Sequence, residues 1–151
     1  RRVVCMGQGS SMVLSEEAWT LFSTVSPKFL FVPDSHLQMN TLALMDPDEL
    51  VLFFSYSGST RDFQDLLEVA RQRQVKVVLV SRFPKSPGGQ LADVVLQCGA
   101  DEGPLQAGSV NARMAQLFVL DVLFQEFCMR APEETEQSRE QIAEAVARKH
   151  L

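Results

Sequence analysis

The sequence predicts an α/β protein built on a doubly wound, five-stranded parallel sheet with helices on both faces. Two observations carry this. Short apolar runs alternate with amphipathic runs along the chain, the pattern of repeated strand-helix units. The runs at 50–54 (LVLFF) and 75–80 (VKVVLV) are nearly unbroken, as strands covered on both faces should be. The 151 residues suffice for one domain with a substantial core, and for no more than one of ordinary size.

Residues 3–6 form a short apolar strand. Residues 11–25 carry Val13, Leu14, Ala18, Leu21, Phe22 and Val25 at helical spacing. Residues 29–32 give the second strand, closed by Pro33-Asp34. Residues 36–45 predict a short helix, with Ser35 as N-cap and Pro47 past its end. The third strand is 50–54. The helix 61–74 puts Phe63, Leu66, Leu67 and Ala70 on one face. The fourth strand, 75–80, is β-branched. Pro84, Pro87, Gly88 and Gly89 predict a loop over 83–89. Residues 94–96 are the fifth strand and 99–108 a loop. Residues 109–129 form a long helix that is apolar nearly all round.

Pro132 stops that helix and opens another, over 132–151. It places Glu133, Glu134 and Glu136 first and Arg148, Lys149 and His150 last, which complements a helix dipole. Its apolar stripe, Ile142 and Val146, is thin. The expected division is a domain over 1–131 and a terminal helix, 132–151, packed on the domain or on a partner subunit.

Composition narrows the function classes. Hydrophobic residues are 46% and charged residues 22%, the profile of a soluble globular protein. No apolar run approaches a membrane span. The net charge of −5 argues against a nucleic-acid grip by this segment itself. Cys5, Cys98 and Cys128 are odd in number and widely spaced, so neither a disulfide framework nor a zinc site is expected. They read as small buried hydrophobes in a reducing, cytoplasmic compartment. The first residues enter a strand at once, as in a segment cut from a longer chain.

Parallel sheets of this kind bind ligands beyond the carboxyl ends of their strands, where the strand order reverses. In the common order 2-1-3-4-5 that point lies between strands 1 and 3. Two loops meet there: Gly7-Gln8-Gly9-Ser10-Ser11 and Ser55-Tyr56-Ser57-Gly58-Ser59-Thr60. Both are rich in glycine and hydroxyls, and both run into a helix. A helix N-terminus offers unpaired N–H groups and partial positive charge, so the second loop has the parts of a phosphate cradle. The competing reading is an ordinary turn with Thr60 as N-cap. No P-loop motif is present. A dinucleotide site is half matched by Gly7 and Gly9, with Met12 at the third glycine position and Asp34 where a ribose-binding acid would sit.

These loops, together with Leu91-Ala92-Asp93-Val94-Val95-Leu96, resemble a SIS (sugar isomerase) domain, a flavodoxin-like phosphosugar-binding fold. Asp34-Ser35-His36-Leu37-Gln38 and Asn111-Ala112-Arg113-Met114-Ala115-Gln116-Leu117, with Asp121, most resemble the effector domain of RpiR-type transcription regulators. The resemblance implies that Ser55, Ser57, Ser59 and Thr60 hold phosphate, helped by the backbone N–H groups of Gly58 and Ser59. It implies that Ser11 faces the ligand from the first loop, with Ser10 and Gly9 beside it, and that Ser109 opens the long helix at the ligand. DNA would be met only through a helix-turn-helix domain preceding this segment. The expected partners are a phosphorylated sugar and further copies of the chain, as a homodimer or homotetramer. No cofactor and no metal are expected.

A phosphosugar isomerase of the same fold is the alternative. It needs a positioned acid or base. The candidates are His36, which could reach its own or a neighbour's pocket, Glu102, Asp62 and His150. None forms a visible pair. Arg61, Arg82 and Lys85 could add positive charge at the pocket rim. A well-formed cradle with weak catalytic equipment points to a binding module.

Overall fold

Apolar, β-branched runs pair here into one parallel sheet. The computed structural model describes residues 1–99 and 110–147. The strands are β1 (Val3–Gly7), β2 (Phe29–Phe31), β3 (Leu50–Phe54), β4 (Lys76–Ser81) and β5 (Val94–Gln97). Their order is β2-β1-β3-β4-β5, all parallel, as expected. The helices are α1 (Met12–Phe22), α2 (Ser35–Leu44), α3 (Arg61–Gln72), α4 (Pro87–Leu91), α5 (Val110–Arg130) and α6 (Pro132–Ala147).

Side chains alternate across a strand, so each face of the sheet builds its own core. Val4, Met6, Val51, Phe53, Val77 and Leu79 meet Leu42 of α2, Met45 just past its end, and Phe63, Leu66, Leu67 and Ala70 of α3. Phe53 stacks on Phe63 with ring centroids 4.2 Å apart. On the other face Cys5, Leu52, Phe54 and Val80 meet Leu14, Ala18 and Phe22 of α1 and Leu120 and Phe124 of α5. Phe22 stacks on Phe29 at 4.2 Å and packs T-shaped with Phe124 at 5.5 Å. Burial pushes the Cys5 thiol up to about 12 and the Cys98 thiol to about 11, so both stay protonated and act as small apolar groups. Cys128 is only half-buried.

Polar clamps fix the strand starts. Arg2 grips Glu49 through two bonds, the second 2.9 Å long, and this holds the Glu49 carboxyl below its ordinary range. Asp93 accepts from Lys76 Nζ at 2.7 Å and from the Val77 N–H at 2.9 Å, tying β5 to β4.

Three local expectations need correction. The N-cap of α2 is Asp34, not Ser35: its carboxylate accepts from the Leu37 N–H at 2.9 Å. The segment expected to be a loop over 83–89 contains the start of α4, with Ser86 as cap, accepting from the Gly89 N–H at 3.1 Å. Pro87 takes the first helical position, where its missing N–H costs nothing. Helix α1 stops at Phe22, and a 3₁₀ turn over Gly9–Ser11 precedes it.

Helix α6 starts against the domain. Glu134 accepts from Ser26 Oγ at 2.5 Å and from Lys28 Nζ at 2.6 Å. Among the described residues no helix is long and apolar enough to cross a membrane.

Candidate functional site

β1 and β3 are neighbours, yet the helices that follow them lie on opposite faces of the sheet. Helix α1 covers one face and α3 the other. The chain therefore parts above the ends of these two strands and opens a crevice.

The first loop turns sharply. A Cβ on Gly7 would lie 2.6 Å from the Ser11 carbonyl oxygen, so only glycine permits this close return. The Ser11 N–H donates to the Gln8 carbonyl at 3.1 Å and closes the turn. Gly9 supplies the left-handed backbone, at φ +56°. Ser11 then stands at the N-cap position of α1 without capping it.

The second loop is braced from behind. The Tyr56 carbonyl accepts from the Arg82 N–H and from Ser81 Oγ, both at 3.1 Å. The Gly58 carbonyl accepts from the Gly88 N–H at 2.9 Å. Gly58 itself has φ +62°, and a Cβ there would lie 2.1 Å from Ser86 Oγ. Within the loop, the buried Ser55 Oγ accepts from the Gly58 N–H at 3.2 Å and Ser57 Oγ from the Ser59 N–H at 3.3 Å. The two backbone donors expected to meet phosphate are thus engaged with the loop's own hydroxyls in this structure. Thr60 occupies the N-cap position of α3, but its hydroxyl does not cap the helix. The competing reading thus keeps Thr60 at the N-cap position but without a capping bond from its hydroxyl.

The two loops enclose a cavity of about 310 Å³, lined by Gln8, Gly9, Ser10, Ser11, Ser55, Tyr56, Ser57 and Thr60 over a floor of Phe53 and Phe54. Six of the expected ligand residues line it: Gly9, Ser10, Ser11, Ser55, Ser57 and Thr60; Gly58 belongs to the same loop but is not in the lining. Ser59 faces a second, adjoining cavity that also includes Ser57. His36 does not line either cavity; it is exposed on the first turn of α2. Asp62 is likewise exposed, on the first turn of α3. Ser109, Glu102 and His150 lie outside the described residues.

Sequence reasoning gave no role to Gln8 or Gln38. Gln8 lines the cavity, and its buried Nε2 has no hydrogen-bond partner. Gln38 is fully buried below the loop and donates to the Gly7 and Val32 carbonyls at 3.0 and 2.8 Å. The only available signal was a polar residue on the inward stripe of α2. Asp34, the acid of the dinucleotide alternative, caps α2 through one carboxylate oxygen. Among the described residues no three metal-ligating side chains gather.

The strand order and the helices on both faces define a flavodoxin-like α/β domain with its crevice at the switch point. The chain belongs to the SIS domain family, which it matches over residues 1–126. Its relatives are RpiR-type regulators. It is 30% identical over 124 residues to a helix-turn-helix-type transcriptional regulator of Providencia stuartii, covering 82% of this chain and 44% of that protein. It is 29% identical over 118 residues to the regulator RpiR of Escherichia coli K12, covering 78% of this chain and 40% of that protein. The chain thus spans less than half the length of these relatives. Among solved structures, the NanR protein of Vibrio vulnificus complexed with ManNAc-6P superposes with a TM-score of 0.87 and 26% identity. That match covers 96% of this chain and 55% of that one. The sugar isomerase domain of an RpiR transcription factor from Sphaerobacter thermophilus shares the fold with a TM-score of 0.82, at 22% identity, over 95% of this chain and 78% of that one.

Proposed function

We propose that this chain is the phosphosugar-sensing effector domain of a bacterial, cytoplasmic transcription regulator. One observation carries the reading: the crevice at the N-terminus of α3 is lined by hydroxyls and, among the described residues, by no carboxylate or imidazole. Uncharged donors and a helix dipole suit an anion that must bind and leave unchanged. Proton transfer between sugar carbons needs a positioned acid or base. The described lining supplies none, which favours a binder over an isomerase of the same fold. The NanR complex with a phosphorylated sugar, which this chain resembles in fold and at 26% identity, supports the same reading.

In this proposal Ser55, Ser57, Ser59 and Thr60 hold the phosphate. Binding pulls the Gly58 and Ser59 N–H groups from their loop hydroxyls towards it. Ser11, Ser10 and Gly9 close the other side, and His36 and Ser109 reach the sugar from beyond the described cavity. Residues 1–131 form the binding domain, and residues 132–151 a terminal helix. Ligand shifts the balance between two arrangements of a homo-oligomer, and with it the spacing of DNA-binding domains carried elsewhere in the full-length protein. It does so only through unequal affinity for the two arrangements.

The test is calorimetry with a panel of phosphosugars. Ser57→Ala is expected to weaken the tightest ligand by about 1–3 kcal/mol, the scale of a hydrogen bond to a charged group. An unchanged dissociation constant would remove the cradle from the site. Exchange of the sugar C2 proton in heavy water, followed by NMR, decides between sensor and enzyme. Exchange above background would install the isomerase.

A further inference from the structure

A second cleft lies at the other end of the sheet. It has a volume of about 540 Å³ and sits between the end of α3 and the starts of β4 and β5. That volume is within the roughly 300–1,000 Å³ of small-molecule sites. The phosphate cradle stands at the opposite, carboxyl ends of the strands, so the two spaces are separate. The floor of the cleft is apolar. Leu67, Ala70, Val75 and Val77 belong to the buried core, and Leu91 of α4 packs against it. Close packing holds these side chains in place, so the floor is formed before any ligand arrives.

The rim is polar, and part of it is unused by the fold. Asp93 and Lys76 pair at 2.7 Å, and the other Asp93 oxygen accepts from the Val77 N–H at 2.9 Å. A carboxylate can accept about four hydrogen bonds, so Asp93, whose side chain is 35% exposed, has room for a further donor. Arg71 is exposed, and among the described residues its side chain makes no hydrogen bond or ion pair. Gln74 is unusual in its backbone. It follows α3 in the left-handed conformation, at φ +58°, alone among the described non-glycine residues. The Val75 N–H donates to the Ala70 carbonyl at 2.9 Å and the Gln74 N–H to the Arg71 carbonyl at 3.1 Å, a helix ending that glycine usually makes. Glutamine there carries strain that glycine would avoid, and it sets a carboxamide on the rim.

The cleft thus offers a cation, Arg71, and an anion, Asp93, above an apolar floor. The carboxyl end of α3 adds partial negative charge. An anionic ligand would meet Asp93 and the helix end unfavourably, and a cationic one would meet Arg71 and Lys76. A zwitterion satisfies both signs. We propose that this cleft binds a free α-amino acid with an apolar side chain. Its carboxylate lies against the Arg71 guanidinium, whose planar N–H groups match two oxygens. Its ammonium lies against Asp93, its side chain covers the floor, and Gln74 adds a neutral donor and acceptor at the rim. The proposal does not depend on the phosphosugar reading of the cradle.

The test is an NMR titration of the isotope-labelled chain with L-leucine and L-phenylalanine. At least one is expected to bind, with shifts concentrated at the backbone amides of Gln74, Val77, Gln90 and Leu91. Matched compounds then remove one charge at a time. 4-Methylpentanoate and 3-phenylpropanoate lack the ammonium, and 3-methylbutylamine and 2-phenylethylamine lack the carboxylate. Each is expected to bind about tenfold or more weakly than its amino acid, the scale of a lost charged hydrogen bond. Arg71 is exposed, so R71Q leaves the fold intact. It should weaken the amino acid about tenfold and leave the matching amine unchanged. Absence of shifts in the cleft with both amino acids would overturn the site. Analogues that bind as tightly as the amino acid would overturn the zwitterion. A loss in R71Q shared equally by the amine would overturn the role of Arg71 in holding the carboxylate.

Discussion

The side-chain amide of Gln38 donates to the carbonyl oxygen of Gly7 at 3.0 Å, and so fastens α2 to the end of β1 where the first loop begins. The same nitrogen donates to the Val32 carbonyl at 2.8 Å. Gln38 is fully buried, and its bond to the Gly7 carbonyl lies in the interior, whereas Val32 is half-buried. Gln38→Leu keeps the volume and removes both donors. The buried Gly7 carbonyl left without its donor costs about 1–3 kcal/mol. The variant should lose about 1–3 kcal/mol in urea denaturation, with an unchanged slope. Phosphosugar affinity should fall as well, because the Gly7 carbonyl anchors the turn that presents Ser11. A midpoint equal to that of the unmodified chain would show that the bond does not hold the loop.

Gly58 and Ser86 make a second such contact. Gly58→Ala meets two obstacles: a backbone at φ +62° and a Cβ 2.1 Å from Ser86 Oγ. Left-handed strain and the clash together should cost about 1–3 kcal/mol and displace the Ser57 side of the cradle. The two causes separate in a double-mutant cycle. Ser86→Gly removes the clash and also the cap of α4, but leaves the strain. The G58A/S86G pair should therefore be less destabilised than the two single changes added together. Strict additivity would show that the loop is not braced through Ser86.

These contacts also show what the sequence could reveal. The sheet was legible because a strand buried on both faces must be apolar along its whole length, as Leu50–Phe54 is. The cradle was legible because glycine and hydroxyls crowd two loops that open onto helices. Helix α4 was hidden: Pro87, Gly88 and Gly89 have the composition of a loop. The glycines are there because space is short. A Cβ on Gly88 would lie 2.3 Å from the Phe63 ring. The role of Gln38 was hidden because a buried amide and an exposed one look alike in a sequence. In α5 the apolar pattern runs nearly all round, so the inward side could not be read. The structure turns Phe124 inward against Phe22 and leaves Phe118 outside.

The attachment of α6 should depend on pH. Hydrogen bonds from Lys28 and Ser26 hold the Glu134 carboxyl below its ordinary value of 4.5. A depressed folded value means that the contact stabilises fully above about pH 4.5 and is lost as the pH falls through the lower, folded value. Lys28 is about half exposed, so the gain is under about 1 kcal/mol and is screened by salt. Arg2–Glu49 weakens in the same acid range, so global stability cannot isolate the effect. Hydrogen exchange in the first turns of α6 can. Protection there should fall with acid in the unmodified chain. In Glu134→Gln it should start lower and vary less with pH. Identical profiles would place the anchor of α6 elsewhere.

The outer face of α5 supplies the last prediction. Val110, Met114, Phe118 and Val122 follow one another at four-residue steps and are 69%, 63%, 70% and 51% exposed. An exposed apolar stripe of this length is unusual for a chain that stays single. Arg113 and Asp121, both exposed, stand four residues either side of Leu117 along the same helix. Two antiparallel copies of α5 related by a two-fold axis at Leu117 would set each Arg113 against the partner's Asp121, while the stripes cover each other. The chain is therefore expected to sediment as a homo-oligomer at micromolar concentration. Phe118→Glu places a charge in that stripe without touching the core, so it should give a folded monomer with unchanged circular dichroism. The charges test the register more sharply. Arg113→Asp alone and Asp121→Arg alone should each weaken association, because each brings like charges together. The two changes combined restore opposite pairs and should recover much of the loss. A monomeric unmodified chain would refute the interface. An oligomer insensitive to Phe118→Glu would move it to another surface, and single swaps without effect would refute this register.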